Sequence, residues 1–123
     1  MDVVNRDAVC AFTTKDTSTI REILAPQNSG IVRQSLAEAC LSPGDQTDAH
    51  SHPNTEEIYY ILRGEALMVL EEERKQVGVG DAIAIPAGMR HQIRNTGAED
   101  LVFLCCCVPA YTDVDTVLCD PLI

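Results

Sequence analysis

Along most of the chain, apolar and polar positions alternate in short runs broken by Gly and Pro, a period of two and not of 3.6. The run "EEIYYIL" (residues 56–62) is rich in β-branched and aromatic residues and predicts a strong strand that ends at Gly64. "IVRQSLAEACL" (31–41) alternates well enough for a strand and stops at "SPG". "EALMVLEEE" and "KQVGVG" predict a hairpin around the charged tip "EEERK" at 71–75. "DAIAIP" is a further strand closed by Pro86 and Gly88, and "RHQIRN" and "LVFLCCCV" follow it, separated by "TGAED". Near the start, "VVNRDAVCAFTT" (3–14) reads as a first strand region. "TSTIREIL" carries a Thr19-to-Glu22 capping-box spacing that predicts a helical turn. The tail from Pro109 shows no period. Short strands with turn signals at this spacing predict an all-β chain, an antiparallel sandwich or barrel. No repeat or linker divides residues 1–123, so one domain is expected.

Composition narrows the picture. The net charge is −10 and no Lys/Arg stripe exists, which argues against nucleic acid as a partner. No apolar run approaches the ~20 residues needed to span a bilayer, so no membrane partner is expected. The N-terminus lacks a basic region followed by an apolar core, so a cytoplasmic location is expected. In that compartment the six cysteines should be reduced. None forms a CxxC pair, and Cys105, Cys106 and Cys107 lie in an apolar run, so they read as small core residues. Without Trp, the core must be largely aliphatic.

The candidate chemistry is concentrated in "HSHPNTEEIYYILRG" (50–64), which holds two of the chain's three histidines. His50 and His52, at i and i+2 in an extended segment, leave the same face and can chelate one ion. Glu57 follows past a "PNT" turn. His91 lies in another strand after "PAGMR"; if that strand sits beside the first, it completes a set of three imidazoles and one carboxylate. Such donors suit Fe, Mn, Ni, Cu, Co or Zn and leave positions open on an octahedral ion.

These residues also carry a resemblance. Gly44, His50, His52, Glu57 and Gly64 match the spacing of the first cupin motif, and Gly80, Pro86, Gly88, His91 and Asn95 match the second. The chain therefore resembles small single-domain cupins. The resemblance implies a double-stranded β-helix (jelly-roll) barrel, frequently dimeric, in which His50, His52, Glu57 and His91 bind one divalent transition metal per chain. Glu57, and not Glu56, has the family's spacing to Gly64, and adjacent strand residues face opposite ways. By the same alternation Tyr59 and Ile61 share the face of Glu57, while Ile58, Tyr60 and Leu62 take the other. Tyr59 is thus either a proton or hydrogen-bond donor in the cavity or a core tyrosine with its hydroxyl at the rim. Glu38, mid-strand, is a general base if it faces the cavity and an ordinary solvated carboxylate if it does not; the solvated face is the better expectation. Arg90, Gln92 and Arg94 alternate away from His91 and should face outward.

Fold does not dictate reaction, so three readings follow. The chain is a metalloenzyme (dioxygenase, isomerase, lyase or decarboxylase) acting on a small oxygen-rich acid or sugar-like molecule. Alternatively, it binds or senses such a ligand without turnover. In the third reading the metal is structural and a partner surface carries the function. The complete four-ligand set favours the first. A homodimer is expected, because a small open barrel leaves edge strands that a second copy can cover, with the N-terminal strand region as the candidate for exchange.

Overall fold

The alternation of "SLAEACL" turns Ser35, Ala37, Ala39 and Leu41 inward and leaves the residues between them partly exposed. The same rule shapes the strand at Glu56–Arg63, where Glu57, Tyr59 and Ile61 are buried and Glu56, Ile58, Tyr60 and Leu62 are exposed. A computed structural model describes all of residues 1–123. Its strands are β1 (Phe12–Thr13), β2 (Thr19–Leu24), β3 (Ser35–Leu41), β4 (His50–Ser51), β5 (Glu56–Arg63), β6 (Glu65–Leu70), β7 (Glu73–Gly78), β8 (Ala82–Ile85), β9 (His91–Asn95), β10 (Leu101–Val108) and β11 (Val117–Leu118). They form a six-stranded sheet, β1-β2-β3-β10-β5-β8, and a five-stranded sheet, β11-β4-β9-β6-β7. Every named strand pairing is antiparallel. The architecture is the double-stranded β-helix that the two motifs imply.

Register aligns the inner face of the larger sheet into rows. Ile20, Ala39, Phe103 and Ile61 stand side by side, next come Glu22, Ala37, Cys105, Tyr59 and Ile83, and then Ser35, Cys107, Glu57 and Ile85. The first row is the floor of a core that closes against Ala66, Met68 and Ile93 of the smaller sheet. Phe103 and Tyr59 are the core's aromatic members, and apart from Met68 and Cys105 the rest is aliphatic. In the other rows Ser35, Ala37 and Cys105 are too small to fill the gap between the sheets, so a cavity remains there.

Two glycines are required by geometry. Gly64 has φ +85°, and a Cβ there would lie 2.9 Å from the Asp100 carbonyl oxygen, so no other residue fits the β5–β6 turn. Gly88 has φ +82°, and its N–H donates to the His52 carbonyl at 2.8 Å. That bond ties the corner before His91 to the segment carrying the other two histidines.

Several elements differ from the sequence expectation. Residues 19–22 form no helical turn; they belong to β2, because pairing with β1 and β3 on both sides outweighs a weak local capping signal. The first strand region shrinks to Phe12–Thr13, preceded by a 3-10 turn at Arg6–Ala8. The hairpin tip is only Glu71-Glu72: Leu70 pairs with Glu73, and Glu71 takes φ +52°. Residues 73–75 continue into β7. The unpatterned tail contributes β11, which pairs with β4.

Candidate metal centre

Three imidazoles converge where the smaller sheet meets the cavity. His50 on β4 and His91 on β9 are direct cross-strand partners, and His52 follows β4 by one residue. Their candidate donor nitrogens lie within 4.8 Å of one another. All three rings are buried, His91 completely. Each ring is oriented by a contact at Nδ1: His50 to the Asp48 carbonyl at 2.8 Å, His91 to the Met89 carbonyl at 3.0 Å, and His52 to the Thr116 hydroxyl at 3.4 Å. With Nδ1–H donating outward, the Nε2 lone pairs face inward, the arrangement that metal-binding histidines adopt.

Glu57 reaches the cluster from the opposite sheet. Its Oε1 lies 3.4 Å from His52 Nε2 and 3.6 Å from His91 Nε2. Its Oε2 accepts a hydrogen bond from the Cys107 thiol at 3.1 Å. Glu57 Oε1 and His91 Nε2 are both buried without a hydrogen-bond partner. Buried polar atoms are rarely left so. Adjacent donors around an octahedral ion with ~2.1 Å bonds stand about 3 Å apart, so a divalent ion between these atoms would satisfy both. The donor set fits a transition metal.

Electrostatics prepare the donors. Burial, and then the proximity of His91, pulls His50 from 6.5 down to about 4, so its imidazole is neutral at pH 7. Burial would raise Glu57, but the neighbouring His52 and His91 outweigh it and hold the carboxyl at about 2. His52 is raised: burial lowers it, but the contact with Glu57 more than compensates. The signs give a prediction for the metal-free protein. His50 and Glu57 both take up protons more readily when unfolded, so acid destabilises the fold, first as pH falls from 6.5 toward about 4 and then from 4.5 toward about 2. His52 acts oppositely: its contribution is complete below 6.5 and is lost as pH rises through its raised value. Below pH 6.5 the urea midpoint should therefore fall steadily; a midpoint that holds or rises on acidification to pH 4 contradicts this assignment.

The structure brings His50, His52, Glu57 and Tyr59 to the cavity, sets His91 fully buried beside the other two histidines, and leaves Glu38 outside the cavity. Glu38 points from the outer face of β3 and accepts a hydrogen bond from Arg6 at 2.9 Å. It is therefore not placed to act as a base in the site. Tyr59 is buried against Phe103 and edge-on to His91. Burial, and then Glu57, pushes its phenol well up, so it is a neutral donor. Gln92 does alternate away from the cavity, but it is buried and not solvated. Its amide donates to the Thr47 carbonyl and accepts from the N–H groups of Leu122 and Ile123, under the C-terminal tail. Arg90 is exposed and is held by Glu71 through its backbone N–H and its guanidinium.

Several cavity residues escaped the sequence reading, Tyr111 and Asp16 among them. Tyr111 lies in the tail, with its ring edge-on to His52. Asp16 belongs to "TTKDTS". Its Oδ1 accepts from the Thr14 hydroxyl (2.5 Å), the Ser18 hydroxyl (2.6 Å) and the Ser18 N–H (3.0 Å). Its Oδ2 is 3.3 Å from His50 Nε2. The only sequence signal was the Thr-x-Asp-x-Ser spacing, which marks a side-chain-stabilised turn. Thr17, at φ +74°, forms that turn.

Comparisons with known proteins agree with this geometry. The family model described as "Cupin domain" matches residues 37–107. An uncharacterized protein of Methanocaldococcus jannaschii, MJ1618, is 46% identical over 110 residues, covering 89% of this chain and 88% of that protein. The oxalate-binding protein of Thermotoga maritima is 38% identical over 69 residues, covering 56% of this chain and 57% of its own length. Among solved structures, the polyketide cyclase RemF of Streptomyces resistomycificus superposes with a TM-score of 0.80 at 26% identity, covering 98% of this chain and 87% of that one.

Proposed function

Because the chain belongs to the cupin domain family, we propose that it is a divalent-metal protein whose His50, His52, His91 and Glu57 hold one ion and present it to a small oxygen-rich ligand. The observation that carries this reading is the unpartnered, fully buried pair Glu57 Oε1 and His91 Nε2, facing each other 3.6 Å apart. Fe, Mn, Ni, Cu, Co and Zn all suit the donors. When bound, the ion supplies Lewis acidity, or oxygen activation if it is redox-active. The chain's own residues do the rest. Phe103 and Ile20 make one side of the cavity apolar and limit water. The Tyr59 phenol stays protonated and can donate to a ligand oxygen. The ligand enters a narrow cavity of about 40 Å³ that opens to solvent, which suits only a small molecule.

Turnover of that ligand is the first reading. Binding without turnover is the second, and it has its own support in the likeness to a protein named for oxalate binding. The two separate experimentally. Elemental analysis of the purified protein should find roughly one transition metal per chain. A thermal-shift screen of small acids and sugars then finds the ligand class, and mass spectrometry of incubated hits shows whether the ligand is changed. Absence of metal under metal-replete expression would remove the proposal. A cytoplasmic setting suits the six free thiols, none of which is paired.

We further propose a homodimer. Ile58, Tyr60 and Leu62 stand exposed in a row on the outer face of β5, an apolar surface that a second copy would cover; the short edge strand β1 is the other candidate. Light scattering at micromolar concentration should give twice the chain mass, and Tyr60→Glu with Leu62→Glu should halve it if the β5 face is used. A monomeric wild type refutes the dimer.

A further inference from the structure

The cavity has an unusual charge inventory. Three carboxylates, Asp16, Glu22 and Glu57, line it together with His50 and His52, and no Lys or Arg does. Asp16 is placed there by construction. Its Oδ1 is occupied by three donors, and its backbone carbonyl accepts from the Asp48 N–H at 2.7 Å, on the segment leading into His50. Only Oδ2 is left, and it faces His50 Nε2. The residue is 8% exposed. Glu22 lies farther from the metal donors, in the row with Ala37, Cys105 and Tyr59, and its buried Oε1 has no partner.

We infer that Asp16 determines which ligands the metal centre accepts, favouring uncharged hydroxyl or carbonyl oxygen donors over small dianions such as oxalate. The inference rests on the metal reading above and deepens it. A divalent ion held by three neutral imidazoles is already balanced by the charges of Glu57 and Asp16. A dianion entering the open side would meet Asp16 beside His50 and Glu22 across the cavity, with no cationic side chain to offset either. Inside a partly dry cavity such repulsion is much stronger than in water. An uncharged diol, hydroxyketone or phenol meets no such cost, and Phe12, Ile20, Phe103 and Tyr111 offer it apolar and aromatic contact. Likeness to an oxalate-binding protein therefore does not carry oxalate to this chain.

The test uses the full chain loaded with cobalt(II), whose visible spectrum reports ligand exchange. Cobalt content is measured first. Oxalate is then titrated into wild type, Asp16→Asn, Glu22→Gln and, as a control on the outer face, Glu38→Gln. Removing one charge at Asp16 should tighten oxalate binding by about tenfold or more, and Glu22→Gln should tighten it by a smaller factor. Glu38→Gln should match wild type. Tight oxalate binding by wild type, or no gain in Asp16→Asn, overturns the inference. If Asp16→Asn fails to fold for want of its turn contacts, an unchanged Glu22→Gln overturns it as well. A wild-type chain that takes up no cobalt overturns the metal reading itself, and the inference falls with it. Normal uptake without a charge effect removes the inference alone.

Discussion

A chain carrying His50→Ala together with His91→Ala is expected to retain no transition metal after gel filtration, where the wild type retains roughly one ion per chain. The two rings are cross-strand partners on β4 and β9, buried to 1% and 0% exposure, and their Nε2 atoms face the same point. Structural zinc in four-ligand sites is worth about 10–16 kcal/mol, or about 3 kcal/mol for each donor if shared evenly. Losing two donors should thus weaken binding by roughly four orders of magnitude. The apt reference is metal-free wild type, because two buried imidazoles become two small voids and the fold itself will lose stability. Circular dichroism establishes that the variant is folded; inductively coupled plasma analysis then reads the metal. Full occupancy in a folded double variant would disprove the ligand assignment.

The second large effect separates two neighbours. Glu57→Gln keeps the shape and removes the charge, and it should weaken metal affinity by more than tenfold, the scale seen when the surroundings of a metal are disturbed. The same change also disturbs the carboxylate that accepts the Cys107 thiol. Glu56→Gln should change affinity little, since Glu56 is exposed on the other face of β5 and a solvated carboxylate contributes weakly. One metal titration for each variant suffices. Loss with Glu56→Gln and retention with Glu57→Gln would put the β5 register one residue away from that described, and would turn Tyr60, not Tyr59, toward the cavity.

The chain announced much of this architecture because a period of two survives wherever one face is buried and the other is not. β3, β5 and β10 alternate cleanly, and the residues predicted inward on β5 are inward. The convergence of His50, His52, Glu57 and His91 was legible because they stand at fixed distances from glycines that the turns require. Other features were not legible, for distinct physical reasons. β2 has a helix-like start, and only its neighbours make it a strand. Gln92 alternates correctly, but nothing local reveals that the tail returns to cover it. Asp16 sits in a polar loop, where a carboxylate is ordinarily solvated, and its entry into the cavity depends on a contact with Asp48 across 32 residues of sequence. Glu38 shows the converse: the outward face was the better expectation from the alternation, and the pleat does turn it outward, where it meets Arg6.

The run Cys105-Cys106-Cys107 places three identical groups in two environments. Cys105 and Cys107 face the cavity and Cys106 faces out, while Cys10, far away in sequence, is exposed. Burial, followed by the charge of Glu57, raises the thiols of all three consecutive cysteines, so the reactive thiolate is scarce at neutral pH. Toward an alkylating reagent the molecule thus behaves as a graded series and not as six equivalent sites. Cys10 is open from the start, and the cavity thiols are released only when the sheets part. The rate at which Cys105 and Cys107 become modified is then a clock for the opening of the barrel, built into the natural sequence without an added probe.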